Sequence, residues 1–329
     1  MTSTGAGRFP KENESALLSL SDSPLSSPQS YTASAQTLRA RIKTYGKLIR
    51  FSHTIFALPF ALSSIAIAWR EKTVTLGALA WVLVAMVAAR TAAMGFNRLA
   101  DRHFDALNPR TQDWELPKGS VNVFEASALT AIAALIFVFA AYELNWISFV
   151  LSPLALAIVF FYSLTKRFTW TSHLFLGLAL SIAPIGAWLA ISRTPIDITE
   201  LTVPLNLGLA VIFWLAGFDV IYSIQDRDFD RAHGLYSIPV RFGVANALRL
   251  SAFFHLLTAL FFVAVGITAG MGLIYWIGVA VVAAILCWEH SIVKPNDLSR
   301  VNKAFFDLNA YVSMGYLVAT VADVLSKNP

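Results

Sequence analysis

Apolar stretches recur along this chain at a length that crosses roughly 30 Å of hydrocarbon as a helix, and this constrains the fold more than any other feature. They fall near residues 54–69, 76–97, 123–141, 146–162, 173–191, 204–222, 246–266, 272–288 and 304–324. The runs are continuous and do not alternate, which argues for helices and against barrel strands. Composition agrees, because only 14% of the residues are charged, where a soluble protein carries about 25%. The expectation is an all-α integral membrane protein of about nine transmembrane helices, forming one domain over residues 41–329. Residues 1–40 differ: they are rich in Ser, Thr, Pro and Gly, and their apolar patch, Ala16–Leu20, is too short for a signal-peptide core. They read as a disordered N-terminal tail. The single cysteine, Cys287, excludes an internal disulfide and a cysteine-rich metal site.

The basic residues give an orientation. Segments 39–53, 98–120, 163–172, 223–246 and 289–303 together hold about 17 Lys and Arg, and the loops and terminus of the opposite side hold about 4. The first set should be cytoplasmic, with the N-terminus inside and the C-terminus outside. The net charge of +5 is then a property of these loops and gives no reason to expect a nucleic-acid partner.

Two acidic segments lie on that side. DRHFD at Asp101–Asp105 returns as DRDFD at Asp226–Asp230, each with two carboxylates four residues apart. On a helix these share a face, with Cβ atoms roughly 6 Å apart. Two unit charges at that distance repel by about 3 kcal/mol at an effective dielectric near 20. That is enough to raise one carboxyl pKa by about 2 unless a cation intervenes. Acids are costly in membranes and usually functional there. Two such pairs therefore imply bound hard cations, and Mg²⁺ is the natural candidate because it completes its shell with substrate phosphates. One segment follows the second span and the other the sixth, which suggests two four-helix repeats plus one helix around a central cavity.

The full segments are NRLADRHFDALNPRT (Asn97–Thr111) and DVIYSIQDRDFD (Asp219–Asp230), with YSLTKRFT (Tyr162–Thr169) between them. Here the chain resembles the UbiA superfamily of membrane prenyltransferases, whose members pair an NDxxDxxxD motif with a DxxYxxxDxDxD-like one and carry YxxxK between. The resemblance covers residues 41–324 and includes the nine-span count. It implies that Asp101, Asp105, Asp226 and Asp230 hold two Mg²⁺ on a prenyl diphosphate. It also implies that Asn97, Asp219 and Tyr222 are catalytic positions, and that Arg102, Arg110, Tyr162 and Lys166 line the diphosphate site. One departure is Arg98, which stands where the family usually has an acid. That position is outside the i, i+4 pair, so metal binding is expected to survive it. The implied chemistry is transfer of a polyprenyl group to an aromatic acid such as 4-hydroxybenzoate in quinone biosynthesis. The charge growing on the leaving diphosphate would be neutralised electrostatically.

The acceptor is less constrained. Arg50, in KLIRFSHTIFALP, stands where relatives carry an Arg that can hold a carboxylate, although their Asp-Lys-Pro becomes Ser52-His53-Thr54 here. This stretch, with GFNRLADRHFDALNPRT and IPVRFG, also resembles a subgroup proposed to prenylate a menaquinone precursor. Arg90 stands out without the family: it lies inside the second span, two turns before Asn97 and on the same face. It either anchors the acceptor carboxylate or a phosphate, or pairs with an acid such as Asp219. Lys166 and Arg167 also admit a purely topological role, Asp228 a supporting one, and Arg241 a phosphate contact or a simple positive-inside charge. The six histidines show no metal-ligand spacing. Haem or chlorophyll prenylation is a rival within the family. A divalent-cation transporter is the rival outside it, but cations beside the acids suit phosphate and oppose metal transit. The site's expected partners are thus a polyprenyl diphosphate, an aromatic acid and membrane lipid.

Overall fold

Each apolar run folds as one helix, and several helices outrun the hydrocarbon-spanning length expected from the sequence. The structure is a computed structural model that describes residues 40–41, 43–48, 56–192 and 197–327. The tail expected over residues 1–40 lies outside the described residues except for Ala40, as do Arg50 and the Ser52-His53-Thr54 stretch. From Thr44 onward the chain forms one compact unit. In order the helices are α1 (Leu58–Ala68), α2 (Leu76–Leu107), α3 (Val123–Leu144), α4 (Trp146–Thr165) and α5 (Ser172–Ile191). They continue as α6 (Thr202–Ser223), the short α7 (Arg227–Ala232), α8 (Ile238–Thr268), α9 (Leu273–Ile292) and α10 (Val301–Lys327). Among the described residues, eight helices are long and apolar enough to cross a membrane. The expected first span appears as the shorter α1, whose N-terminal side (residues 49–55) is not described. The chain is a multi-pass membrane protein.

Local sequence sets the helix ends. Thr75 Oγ1 caps α2 by accepting from the Ala78 N–H (3.1 Å), and Asn122 and Glu125 close a capping box at α3. Asn145 caps α4 and donates through Nδ2 to the carbonyls of Leu189 (2.8 Å) and Ala190 (3.1 Å), tying the start of α4 to the end of α5. The IPVRFG stretch is the start of α8, and Gly243 there has φ of 77°, a kink that a side chain would strain.

Helix α6 is the buried centre: 72% of its most apolar window lies inside the protein. It packs on α5 and α8, and its Trp214 meets Phe60 of α1 edge-on at 4.9 Å. Phe262 of α8 stacks on Tyr316 of α10 at 4.2 Å, and Tyr275 of α9 donates to the Phe262 carbonyl at 2.7 Å. Apolar side chains such as Ile132, Leu135 and Phe139 of α3 remain exposed, as expected of surfaces facing lipid.

The approach of α5 to α6 depends on Gly177, where an added Cβ would sit 2.4 Å from the Ile212 carbonyl oxygen. Gly177→Val should therefore destabilise the protein by about 2 kcal/mol through overpacking. Gly315→Ala in α10 meets nothing within 4 Å and should be neutral or stabilising by about 0.5–1 kcal/mol. Melting temperatures in detergent should fall for the first variant and hold or rise for the second.

Candidate functional site

Helix α2 does not stop at the end of its apolar run near residue 97. It continues to Leu107 and carries the first acidic segment on its last turns, so Asp101 and Asp105 do lie on one helix. The second pair differs from the expectation. Ile224–Asp226 winds as a 3₁₀ turn before α7 begins at Arg227, so Asp226 and Asp230 are not on one α-helix. The change of pitch ends α6 and leaves both carboxylates buried, at 7% and 2% exposure.

The two segments meet at the polar end of one cavity of about 660 Å³. Asn97, Asp101, Asp105, Arg110, Tyr162, Lys166, Asp219, Tyr222, Asp226 and Asp230 all line it, and so does Arg90. Arg102 does not: it is exposed and donates to the Leu99 carbonyl at 3.1 Å. The rest of the cavity is apolar, running along α2 to Met86 and Val82 and along α5 to Ala190. Leu151 and Leu154 of α4 and Leu178 of α5, all exposed, line this apolar part.

Each of the four paired carboxylates has its own cation. Arg167 Nη2 lies 3.2 Å from Asp101, Arg98 Nη1 3.4 Å from Asp105, Arg110 Nη2 2.6 Å from Asp226, and Lys166 Nζ 3.2 Å from Asp230. Arg110 engages Asp226 with two nitrogens, the second at 2.9 Å, in the fork geometry that suits carboxylate or phosphate oxygens. Asn97 Nδ2 donates to Asp101 at 3.0 Å. Loss of hydration at the cavity end would lower the pKa of Lys166, but the carboxylates of Asp230, Asp226 and Asp219 outweigh it and hold this ammonium above the ordinary lysine value. Arg167 and Lys166 thus both line the cavity and pair with its carboxylates.

Several of these partners escaped sequence reasoning. Arg98, set aside as lying outside the acidic pair, is 6% exposed, pairs with Asp105 seven residues on, and has its guanidinium 3.8 Å from the Trp114 ring centre. Asn108 accepts from the Arg110 N–H (2.9 Å) and donates to Asp226 (3.2 Å), folding the NPRT turn so that Arg110 reaches across to the second pair. The visible signal was the Asn-Pro turn dipeptide. His173, fully buried at the start of α5, lies 2.7 Å through Nδ1 from Asp219 and accepts the Ile238 N–H at Nε2 (3.3 Å). That acceptance places the ring proton on Nδ1, facing Asp219. The partner of Asp219 is therefore an imidazole, where those of the other four acids are Lys or Arg.

The sequence profile of the UbiA prenyltransferase family matches residues 57–312. The chain belongs to this family. It is a prenyltransferase, as the motifs implied. It is 27% identical over 271 residues to a 4-hydroxybenzoate octaprenyltransferase of Paraburkholderia phymatum, covering 81% of this chain and 91% of that protein. A UbiA homolog from Aeropyrum pernix K1, solved in its apo form, has the same fold with a TM-score of 0.75 and 35% identity over 84% of this chain and 98% of its own. A UbiA homolog from Archaeoglobus fulgidus, solved with GPP and Mg²⁺, matches with a TM-score of 0.60 and 20% identity, over 85% and 99% of the two chains.

Arg98→Leu should leave the Asp105 carboxylate without its cation and cost about 3 kcal/mol. The double variant Arg98→Leu/Asp105→Leu should recover most of that loss, read as melting temperature in detergent. Equal losses in the single and double variants would show that the ion pair is not what Arg98 contributes.

Proposed function

We propose that this prenyltransferase moves a polyprenyl group from a polyprenyl diphosphate to a ring carbon of an aromatic acid, with 4-hydroxybenzoate as the leading acceptor, in quinone biosynthesis. The observation that carries this reading is the joining of two acid pairs and their cations at the polar end of a cavity that is otherwise apolar. A diphosphate head fits the first part, and a prenyl chain lying along the apolar walls of α2, α4 and α5 fits the second. The names of the bacterial relatives support the acceptor, and the ligands of the Archaeoglobus homolog support the donor.

The chemistry of the donor set suits Mg²⁺: four carboxylates line one cavity as hard oxygen ligands, each paired with a cation and, among the described residues, no three of them drawn into one cluster. Asp101, Asp105, Asp226 and Asp230 would hold it, and it supplies neutralisation of the charge that grows on the leaving diphosphate. Arg110, Lys166 and Arg167 add fixed positive charge at the same end, already oriented by the carboxylates they hold. Tyr222 receives the Arg110 guanidinium on its hydroxyl at 3.0 Å, which keeps both groups facing the cavity. The donor's allylic C–O bond breaks with its electron pair leaving on the diphosphate. The acceptor ring supplies the electrons of the new C–C bond and then loses a proton. Asp219 is suited to receive it, since His173 holds one of its oxygens and, among the described residues, no arginine or lysine lies within ion-pair distance. Arg90, on the same cavity wall further into the membrane, is assigned to the acceptor carboxylate. The orientation that follows from the basic loops puts this end of the cavity, and the N-terminus, on the cytoplasmic side.

A second reading, prenylation of a naphthoate-type acid of menaquinone biosynthesis, is favoured by the GFNRLADRHFDALNPRT and IPVRFG stretches. One assay separates the two. Membranes carrying the protein, with Mg²⁺, a polyprenyl diphosphate and radiolabelled 4-hydroxybenzoate, should move label into the organic extract. EDTA should abolish transfer, and Asp101→Ala should lower it about a hundredfold or more. Transfer only to a hydroxynaphthoate selects the second reading, and no diphosphate release with any aromatic acid overturns both.

Arg90→Leu should raise the acceptor KM about tenfold or more while leaving the KM for the diphosphate unchanged. Normal acceptor KM with reduced accumulation would return Arg90 to a structural role.

A further inference from the structure

Phe305 lines the cavity where its polar and apolar parts join, yet no motif marks it. It sits in the first turns of α10, where residues Ala304–Leu308 wind as a π turn, the one such element among the described residues. A π turn carries extra residues per turn and is found mostly at functional positions in helices. Here it lets two consecutive side chains reach one ring. Phe305 stacks on Tyr222 with centroids 4.0 Å apart, and Phe306 meets the same ring edge-on at 6.4 Å. Phe305 also packs edge-on against Phe218 (5.2 Å) and Phe56 (5.9 Å), which line the cavity as well. On the polar side, the Arg110 guanidinium lies 5.2 Å from the Tyr222 centroid. The aromatic wall therefore begins where the basic groups end.

A buried clamp holds this turn. Asn309 Nδ2 donates to the carbonyls of Ala304 (2.9 Å) and Phe305 (3.4 Å) and to Glu289 Oε1 of α9 (3.2 Å). Both Glu289 and Asn309 are 0% exposed, and Glu289 does not line the cavity. An acid kept inside a membrane bundle is costly, and Glu289 has no part in binding the diphosphate. Its hydrogen bond goes to the side chain that caps the π turn.

We infer that Phe305, aimed into the cavity by the Glu289–Asn309 clamp, shields the allylic cation from water and so decides how much of it reaches the acceptor ring. This rests on the prenyl-transfer reading above. Once the C–O bond breaks, with its electron pair on the diphosphate, the cation has two fates. A ring carbon forms a C–C bond and the ring loses a proton, or water forms a C–O bond, loses a proton and yields the free prenol. An aromatic face against the cation attracts it and occupies the volume that water would need. Phe305 thus positions and shields, while the charged residues carry out departure of the leaving group.

The test measures prenol and prenylated acid per diphosphate released, using the full chain in detergent micelles with labelled prenyl diphosphate, Mg²⁺ and whichever of 4-hydroxybenzoate or a hydroxynaphthoate the wild type accepts. Phe305→Leu and Phe305→Met should raise the prenol-to-product ratio about tenfold. Phe305→Tyr should stay within about twofold of wild type, and Asn309→Ala should shift the ratio in the same direction as Phe305→Leu. The ratio belongs to each turnover, so a variant that accumulates poorly remains readable. A wild-type ratio in both Phe305→Leu and Phe305→Met overturns the inference and leaves prenyl transfer standing. A shift in the Phe305 variants with none in Asn309→Ala removes the clamp from it. A wild type that releases no diphosphate overturns the inference together with the proposed function.

Discussion

Carboxylates at the end of a lipid-embedded cavity set the terms for the rest of this structure. Removing an ion from water costs several kcal/mol even after relaxation, and here Asp105, Asp226 and Asp230 are all under 10% exposed. Such a cluster is tolerable only if each charge meets an opposite one at short range, and Arg98, Arg110, Lys166 and Arg167 supply these. The four cations come from three separate parts of the chain: the last turns of α2, the NPRT turn beyond it, and the end of α4. The acids come from α2 and from the α6–α7 junction. Neutralising this one cluster therefore draws three segments of the bundle to one end of the cavity. Three of the pairs cross between segments distant in sequence, Arg110 to Asp226, Lys166 to Asp230 and Arg167 to Asp101, so the electrostatics also fasten the bundle together.

That arrangement explains why the helices outrun the membrane. An apolar run ending near residue 97 would leave the first acids on an ordinary loop, free to hydrate. The continuation of α2 to Leu107 keeps them on a rigid face, one turn apart. Beyond it, Thr111 donates to the Asp105 carbonyl at 2.8 Å, and Asn108 accepts the Arg110 N–H through Oδ1 while its Nδ2 reaches across to Asp226. On the other side, the Tyr236 N–H bonds the Lys166 carbonyl at 2.7 Å, fixing the α7–α8 link against the end of α4. Rigid placement of charge before any substrate arrives is what electrostatic catalysis requires.

The periodic features were legible in the sequence. Span positions followed from run length, the shared side of both acid pairs from basic-residue counts, and Asp101 with Asp105 from helical spacing. What stayed hidden depended on pitch and on distance in three dimensions. The 3₁₀ turn at Ile224–Asp226 has no sequence signature, so Asp226 and Asp230 read as a second helical pair. Arg98 looked misplaced because its acid is seven residues away, two helical turns, where a four-residue rule does not look. Arg102 looked well placed because it adjoins Asp101, yet adjacent residues on a helix point apart, and it faces outward. His173 is 46 residues from Asp219 and lies in an apolar run, so only packing could pair them.

The five cavity acids then fall into two chemical kinds. Four are held by permanent cations, which favour the ionised form and suit groups that share charge with a metal and a diphosphate. The fifth, Asp219, is held by an imidazole whose proton location is set by a backbone N–H at the start of α8. The imidazole orients this carboxylate, and among the described residues no Lys or Arg is paired with it. In the proposed reaction, which ends with proton loss from a ring, the two kinds would divide the labour: the groups around the four paired acids would draw off the leaving group, the aromatic wall would exclude water, and Asp219 would take the proton. The sequence DVIYSIQDRDFD carries both kinds of acid within twelve residues. What separates them is which partner the fold brings to each.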